Sequence, residues 1–331
     1  MSSAAGRVAR WIVPFLAVTA VAGFVSSTDL EAGRAPAVRL VDNANPLDGQ
    51  NFYVNPSSKA KAAADGASPP SPELNAIANT PTAYWMDNLS TPAVDAKYIS
   101  AAQAAGTMPI LALYGIPHRD CGSFAAGGFG SADAYKGWID GVAGAIGGGP
   151  AAVILEPDAL AMADCLSAGQ RQERLDLISY AVDSLTRNPA TAVYIDAGHS
   201  RWTSADKMAG MLNQVGIGKA RGFSLNTANF FTTGEEVGYG DAISGMTNGA
   251  HYVIDTSRNG AGPADGEMYW CNPSGRALGA APTTATGNGN VDAFLWVKRP
   301  GESDGSCGQG DPGAGRFVNS FAIDLARNAG Q

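Results

Sequence analysis

The sequence predicts an α/β fold, a parallel barrel related to the eight-stranded (β/α) type. Three observations carry that prediction. From residue 80 onward, short β-type apolar runs recur and each ends on polar or charged residues. Amphipathic or small-residue stretches separate them. The runs are apolar throughout instead of alternating, as strands buried on both faces are. An open doubly wound sheet fits the same pattern and stays as the alternative.

The elements follow in order. Residues 83–86 form the first run and meet Asp87; 110–114 form the second, before the loop 115–120. The third, 153–155, halts on Glu156-Pro157-Asp158, where the proline bars an immediate helix. Runs 193–195, 223–225 and 252–254 end on Asp196, Asn226 and Asp255, and 294–297 ends on Lys298-Arg299. Between the third and fourth runs Leu175, Ile178, Val182 and Leu185 keep the spacing of one helix face, stopped by Asn188-Pro189. The Gly- and Asn-rich stretches 283–290 and 308–315 read as loops, and the Ala, Ser and Pro in 55–72 mark no separate module.

Bulk composition narrows the partners. The chain has a formal net charge of −8 with 16% charged residues, a poor match to nucleic acid or an anionic membrane surface. Arg7 and Arg10 precede the apolar run 11–25, then Ser26-Ser27-Thr28 and small residues around 32–37. That pattern predicts a signal peptide or N-terminal anchor over 1–34, a short linker over 35–45 and one catalytic domain over 46–331. A secreted protein is expected, with an uncleaved envelope anchor as the variant.

Export gives the four cysteines meaning. Cys121, Cys165, Cys271 and Cys307 allow three pairings, and an oxidising compartment favours disulfides. Nearest-neighbour pairing is preferred because each bridge then closes one long loop. No CxxC or HxxxH spacing occurs and only three His are present, so neither metal nor cofactor is expected.

The chemistry gathers at the ends of the runs. Asp120, Asp158, Asp196 and Asp304, converging on one barrel face, would raise one another's pKa values. One acid then stays protonated to donate while the others stay ionised, the division that glycosidic hydrolysis needs. A strand-end Asp can equally cap the next helix, so the argument rests on the set of four. Trp85, Trp202 and Trp270, beside run ends or a cysteine, suit the apolar faces of sugar rings, and Asn226, Asn229, Arg258, Lys298 and Glu302 suit their hydroxyls. Three short patterns mislead. Gly198-His199-Ser200-Arg201-Trp202 lacks the last glycine of a nucleophile elbow. The GxGxxG match at 308–313 follows Cys307 instead of a strand. Asn88-Leu89-Ser90 is a glycosylation sequon of a kind that arises by chance.

At these residues the sequence resembles glycoside hydrolase family 6, the inverting cellulases. The blocks are YWMDN (84–88), LYGIPHRDCG (113–122), VILEPDALA (153–161), VYIDAGHSRW (193–202), GFSLNTANF (222–230), IDTSRNG (254–260), WCNPSGRALG (270–279) and FLWVKRPGESDG (294–305). They run in the family's order from about residue 45 to the C-terminus.

The resemblance implies a distorted seven-stranded parallel (β/α) barrel, TIM-barrel-like, and hydrolysis of β-1,4-glucan. It implies Asp158 as proton donor, Asp120 as the acid that raises the donor's pKa and helps handle the water, Asp196 as a further acid and Asp304 as candidate base. Tyr114 would crowd the distorted sugar. Sugar contacts carry over to Trp85, Asp87, His199, Trp202, Asn229, Trp270, Lys298 and Glu302, and the family's two disulfides agree with the preferred pairing. One departure stands out: Ala126 occupies the position where many members carry a water-orienting serine, and Ser123 is the nearest hydroxyl.

The short loops around 121–135 and 308–315 imply an open cleft and an endo-1,4-β-glucanase acting as a monomer. The alternatives are an exo-acting cellobiohydrolase of the same family or a catalytically weak carbohydrate-binding envelope protein.

Overall fold

The computed structural model describes residues 44–330. The expected leader over 1–34 and most of the linker lie outside those residues. Among the described residues no helix is long and apolar enough to cross a membrane.

Seven strands form one sheet in sequential order, all parallel: β1 Tyr84–Met86, β2 Ile110–Leu113, β3 Ala151–Leu155, β4 Thr191–Asp196, β5 Gly222–Leu225, β6 His251–Asp255 and β7 Val291–Leu295. The sheet curls until its edges meet. Ala83 N–H donates to the Trp296 carbonyl at 2.9 Å, and the Trp85 indole N–H to the Val297 carbonyl at 2.8 Å. The result is a distorted barrel of seven strands, as anticipated.

Residue alternation along each strand sorts two cores. Ala112, Ala152, Ala192 and Ala293 pack inward with Ile110, Ile154, Tyr194 and Leu295. Small residues there let a seven-stranded sheet close on itself without overpacking. Leu111, Leu113, Val153, Leu155, Val193, Ile195 and Phe223 face outward under the helices.

Those helices start where the sequence provides caps. The helices α3 Pro92–Ala104, α4 Ala132–Ile146, α5 Ala168–Leu185 and α7 Thr233–Met246 are capped by Thr91, Ser131, Ser167 and Thr232, and Ser167 closes a reciprocal box with Gln170, while α6 Ala205–Gln214 follows Ser204 without a side-chain cap bond. The predicted apolar face on α5 is buried at Leu175, Ile178, Val182 and Leu185.

Two expectations shift. Helix α1 Lys59–Gly66 lies in the segment read only as Ala-, Ser- and Pro-rich, and α2 Pro72–Ala78 follows it; α1 packs on α2, and α2 packs against the final helix α8 Asn319–Asn328 through Leu74, Ile77, Leu325 and Ala326. They are too short to show a sustained period. Strand β7 begins three residues earlier than its apolar run, because Asp292 is tolerated inside it. That carboxylate is buried between Arg221 at 2.7 Å and His251 at 3.1 Å and accepts the Tyr194 hydroxyl at 2.7 Å. Burial would forbid an unpaired acid there. This group closes the barrel mouth at the N-terminal ends of the strands, opposite the acids described next.

Candidate active site

The C-terminal ends of the strands present unusual backbone. Asp120, Glu156 and Asp158 have φ of 57°, 52° and 68°, the left-handed region that side chains with a Cβ avoid. Each such residue costs of order 1–3 kcal/mol and persists only when its surroundings hold it.

Three buried carboxylates tie the strand tips and their loops together, one of them through the backbone of Asp158. Glu156 accepts the N–H groups of Gly115 at 3.1 Å and Ile116 at 3.0 Å, fastening the β3 tip to the loop after β2. Asp196 accepts the N–H groups of Asp158 at 2.9 Å and Gly198 at 3.0 Å, tying β3 to β4. Asp255 accepts those of Ala228, Ser257, Val297 and Lys298, joining the loops after β5, β6 and β7. Burial pushes Glu156 up to about 7 and Asp196 up to about 6, while the amide donors pull both back.

Asp158 stands apart in its electrostatics. Burial first, then the negative charges of Asp196 and Asp120, push its carboxyl well above the ordinary carboxylate range, with Lys298 opposing. It therefore holds a proton where a free aspartate has lost it. Burial also raises Asp120, against an amide hydrogen bond from Ala125 at 2.7 Å and the charge of Arg119. Tyr114 is kept a neutral phenol by burial and by Asp158 and Asp120.

Asp304 behaves oppositely. Burial would raise it, but Arg258 and Lys298, each at 2.8 Å, overcome that and hold it at about 2. It lies in the loop beyond β7, not at a strand tip, and Asn272 fixes it by donating its backbone N–H at 3.1 Å.

All four acids border or back one cleft of about 720 Å³. Asp120, Asp158 and Asp304 line it; Asp196 stands behind Asp158. The sugar contacts carried over by the resemblance line it too, but Asn226 and Arg258, also expected to meet hydroxyls, do not: Asn226 is buried and donates to the carbonyls of Phe231 and Asp255, and Arg258 is buried against Asp304. Trp85 meets Tyr114 edge-on at 5.3 Å, and Trp270 and the half-exposed Trp202 offer further indole surface. His199 is stacked on Phe231 at 4.2 Å, and burial lowers it to about 4, so it is neutral. Asp87 accepts the N–H groups of Leu89 and Ser90, and Asn229 donates to the Thr227 carbonyl. Lys298 is shared with Asp304, and both Glu302 oxygens are held, by Lys59 at 3.0 Å and Arg299 at 2.7 Å.

The cysteines pair as Cys121–Cys165 and Cys271–Cys307. Ala126 and Ser123 both line the cleft, so Ser123 does place a hydroxyl on that wall. Ser200 donates to Glu235 and Glu236 and is no nucleophile. Asn88 Oδ1 accepts the Gly128 N–H at 3.2 Å, which makes the sequon part of the loop's support. The GxGxxG segment opens no helix, since α8 starts only at Asn319.

Sequence reasoning passed over Arg119, whose guanidinium lies 4.4 Å over the Tyr114 ring and donates to the carbonyls of Tyr114 at 2.6 Å and Ala125 at 2.9 Å. It passed over Asn272 as well, although adjacency to Asp120 and to Cys271 was the available signal. Among the described residues no group of three or more His, Cys, Asp and Glu is placed to hold a metal ion. The arrangement offers one protonated acid, one half-buried carboxylate and aromatic walls, which suits acid–base cleavage of a neutral, ring-bearing polymer.

Comparisons with known proteins agree. The model of glycosyl hydrolases family 6 matches residues 47–329. Endoglucanase A of Cellulomonas fimi is 47% identical over 290 residues, covering 86% of this chain and 62% of that protein. Endoglucanase 1 of Streptomyces halstedii is 42% identical, covering 88% and 92% respectively. The solved structure of the endoglucanase Cel6 from Mycobacterium tuberculosis, in complex with methyl-cellobiosyl-4-deoxy-4-thio-β-D-cellobioside, is 66% identical with a TM-score of 0.85 and covers 87% of this chain and 100% of that one.

Proposed function

The chain belongs to glycosyl hydrolases family 6, and on that premise we propose that it is an endoglucanase that cleaves internal β-1,4-glucosidic bonds with inversion. The observation that carries the mechanism is Asp158: a buried acid on the cleft wall, kept protonated by burial and by two neighbouring carboxylates.

A glucan chain lies in the cleft with its rings against the indoles. Asp158 gives its proton to the glycosidic oxygen as the bond from that oxygen to the anomeric carbon breaks. A water attacks the opposite face of the same carbon and its proton passes to Asp120. Asp120 suits this task because its raised pKa gives a usable base, whereas Asp304, held at about 2, is too weak a base. Asp304 instead anchors Lys298 and Arg258 with its negative charge. Asp196 positions Asp158 through the backbone.

The acids and the aromatic walls of the site all come from one chain, which supports a monomeric enzyme. The leader read over 1–34 accords with secretion toward a polymer that lies outside the cell.

Soluble cellulose followed by viscosity and by reducing ends tests this reading. Viscosity should collapse while few ends have appeared, and NMR should show the α-anomer as first product. Reducing ends that rise with little viscosity loss would overturn the internal mode, and a first-formed β-anomer would overturn inversion.

A further inference from the structure

The cleft residues His199 and Trp202 sit on the loop after β4, and the first turn of α7 holds that loop from behind. His199 stacks on Phe231, and Trp202 leans on His199 with ring centroids 5.1 Å apart. Between them, Ser200 and Arg201 reach back to Glu235 and Glu236. Arg201 pairs with Glu235 through two guanidinium bonds, of 2.6 and 2.9 Å. Glu236 is wholly buried and accepts the Ser200 N–H at 3.1 Å.

The Ser200 hydroxyl stands 2.9 Å from Glu235 Oε1 and 2.7 Å from Glu236 Oε1. A hydroxyl carries one hydrogen and an ionised carboxylate only accepts, so one hydroxyl cannot serve two ionised glutamates. A proton on Glu236 completes the chain. Its O–H donates to Ser200 Oγ, whose own hydrogen goes to Glu235, which Arg201 keeps ionised. The second Glu236 oxygen, Oε2, is buried without a hydrogen-bond partner, a poor place for a full charge. Burial accordingly raises Glu236 to about 7, whereas the Arg201 bonds lower Glu235.

We propose that Glu236 is a positioning residue for sugar binding: its proton, held against Ser200, locks the His199–Trp202 platform, and loss of that proton loosens the platform. Glu236 itself touches no substrate. The proposal rests on the endoglucanase reading above, since it concerns the same glucan in the same cleft.

Glu235 and Tyr239 face Glu236 from its own helix, Arg201 and, beyond it, His199 from the loop after β4, and Tyr252 from β6. None of them changes charge between pH 5.5 and 8.5: Glu235 is lowered, His199 lies at about 4, and Arg201 and both tyrosines are raised. Asp206 of α6, which bears on Tyr239, is lowered as well. Asp196 also bears on Tyr239 and lies at about 6, and it is retained in every variant below.

Titration calorimetry with methyl-cellobiosyl-4-deoxy-4-thio-β-D-cellobioside, whose central linkage resists hydrolysis, tests the lock from pH 5.5 to 8.5. The wild-type Kd should rise at least threefold, with a midpoint near 7. Glu236→Gln is uncharged at every pH and should keep Kd within twofold of the wild-type value at pH 5.5 throughout. Its kcat on saturating soluble cellulose should stay within twofold of wild type, with the alkaline limb where Asp158 sets it. Ser200→Ala takes the hydroxyl from between the carboxylates and should flatten the step too, so the test stands even where the glutamine variant fails to fold. A constant wild-type Kd, a step that persists in either folded variant, or a loss that falls on kcat instead of Kd overturns the lock and leaves the endoglucanase reading standing. A wild-type protein that binds the oligosaccharide at no pH overturns both.

Discussion

The Asp196 carboxylate accepts the backbone N–H of Asp158 at 2.9 Å. This bond holds the left-handed backbone of Asp158 and sets a negative charge beside its carboxyl. Asp196→Asn keeps an oxygen for the N–H but removes the charge. That charge is, after burial, the largest influence raising Asp158, so its loss lowers the donor's pKa. The donor then loses its proton at lower pH, and the alkaline limb of the rate profile moves down. Profiles of kcat for both proteins measure it; an alkaline limb in place or moved up would refute the coupling.

Removing the proton donor should hurt in proportion to how much the leaving group needs a proton. Asp158→Asn is expected to cut kcat/KM on soluble cellulose by about 10²–10⁴-fold, the usual worth of a general acid. A dinitrophenyl cellobioside leaves without protonation, so its loss should be at least tenfold smaller. Equal losses on both substrates would take the proton-donor role from Asp158.

Asp120 and Asp304 make different predictions for the acid limb. Asp120 is raised by burial, and its neighbours of consequence are Ala125 and Arg119, not Asp304. Protonation of Asp120 as pH falls should therefore draw the acid limb, and Asp120→Asn should remove that limb along with about 10²–10⁴-fold in kcat. Asp304→Asn should lower activity yet leave the limb in place. If instead the limb vanishes with Asp304, the base has been misassigned.

What the sequence disclosed follows from the physics of buried parallel strands. Strands covered on both faces read as unbroken apolar runs, so β2 to β6 and the polar residues at their tips were legible. The roles of those tip acids were less so. Glu156, Asp158, Asp196 and Asp255 give one and the same signal, an acid closing an apolar run. Only the backbone separates Asp158, whose carboxyl faces the cleft, from Glu156 and Asp255, which are consumed by amide donors. Asp304 reads as a base from its position in the resembling block, but its two cationic partners come from other loops and leave no local trace. The hold of Glu236 on Ser200 is equally invisible, because it joins a loop to a helix 36 residues further on and no local pattern links the two.

The last prediction concerns stability. Asp304 is shifted from an ordinary 3.8 down to about 2 by Arg258 and Lys298, both largely buried. A depressed carboxylate contributes stability that is fully present above the unfolded value near 4, and that contribution is lost as pH falls through about 2. Asp304→Asn leaves two buried cations without their anion, a loss of about 3–5 kcal/mol for a buried pair broken on one side. Urea midpoints of wild type and variant should thus differ by a constant amount from neutral pH down to about 4. Below that the gap should narrow, because the wild-type carboxyl takes up its proton and comes to resemble the amide. A gap that stays constant down to pH 2.5, or one that widens, would show that the ion pairs do not hold Asp304 in its charged form.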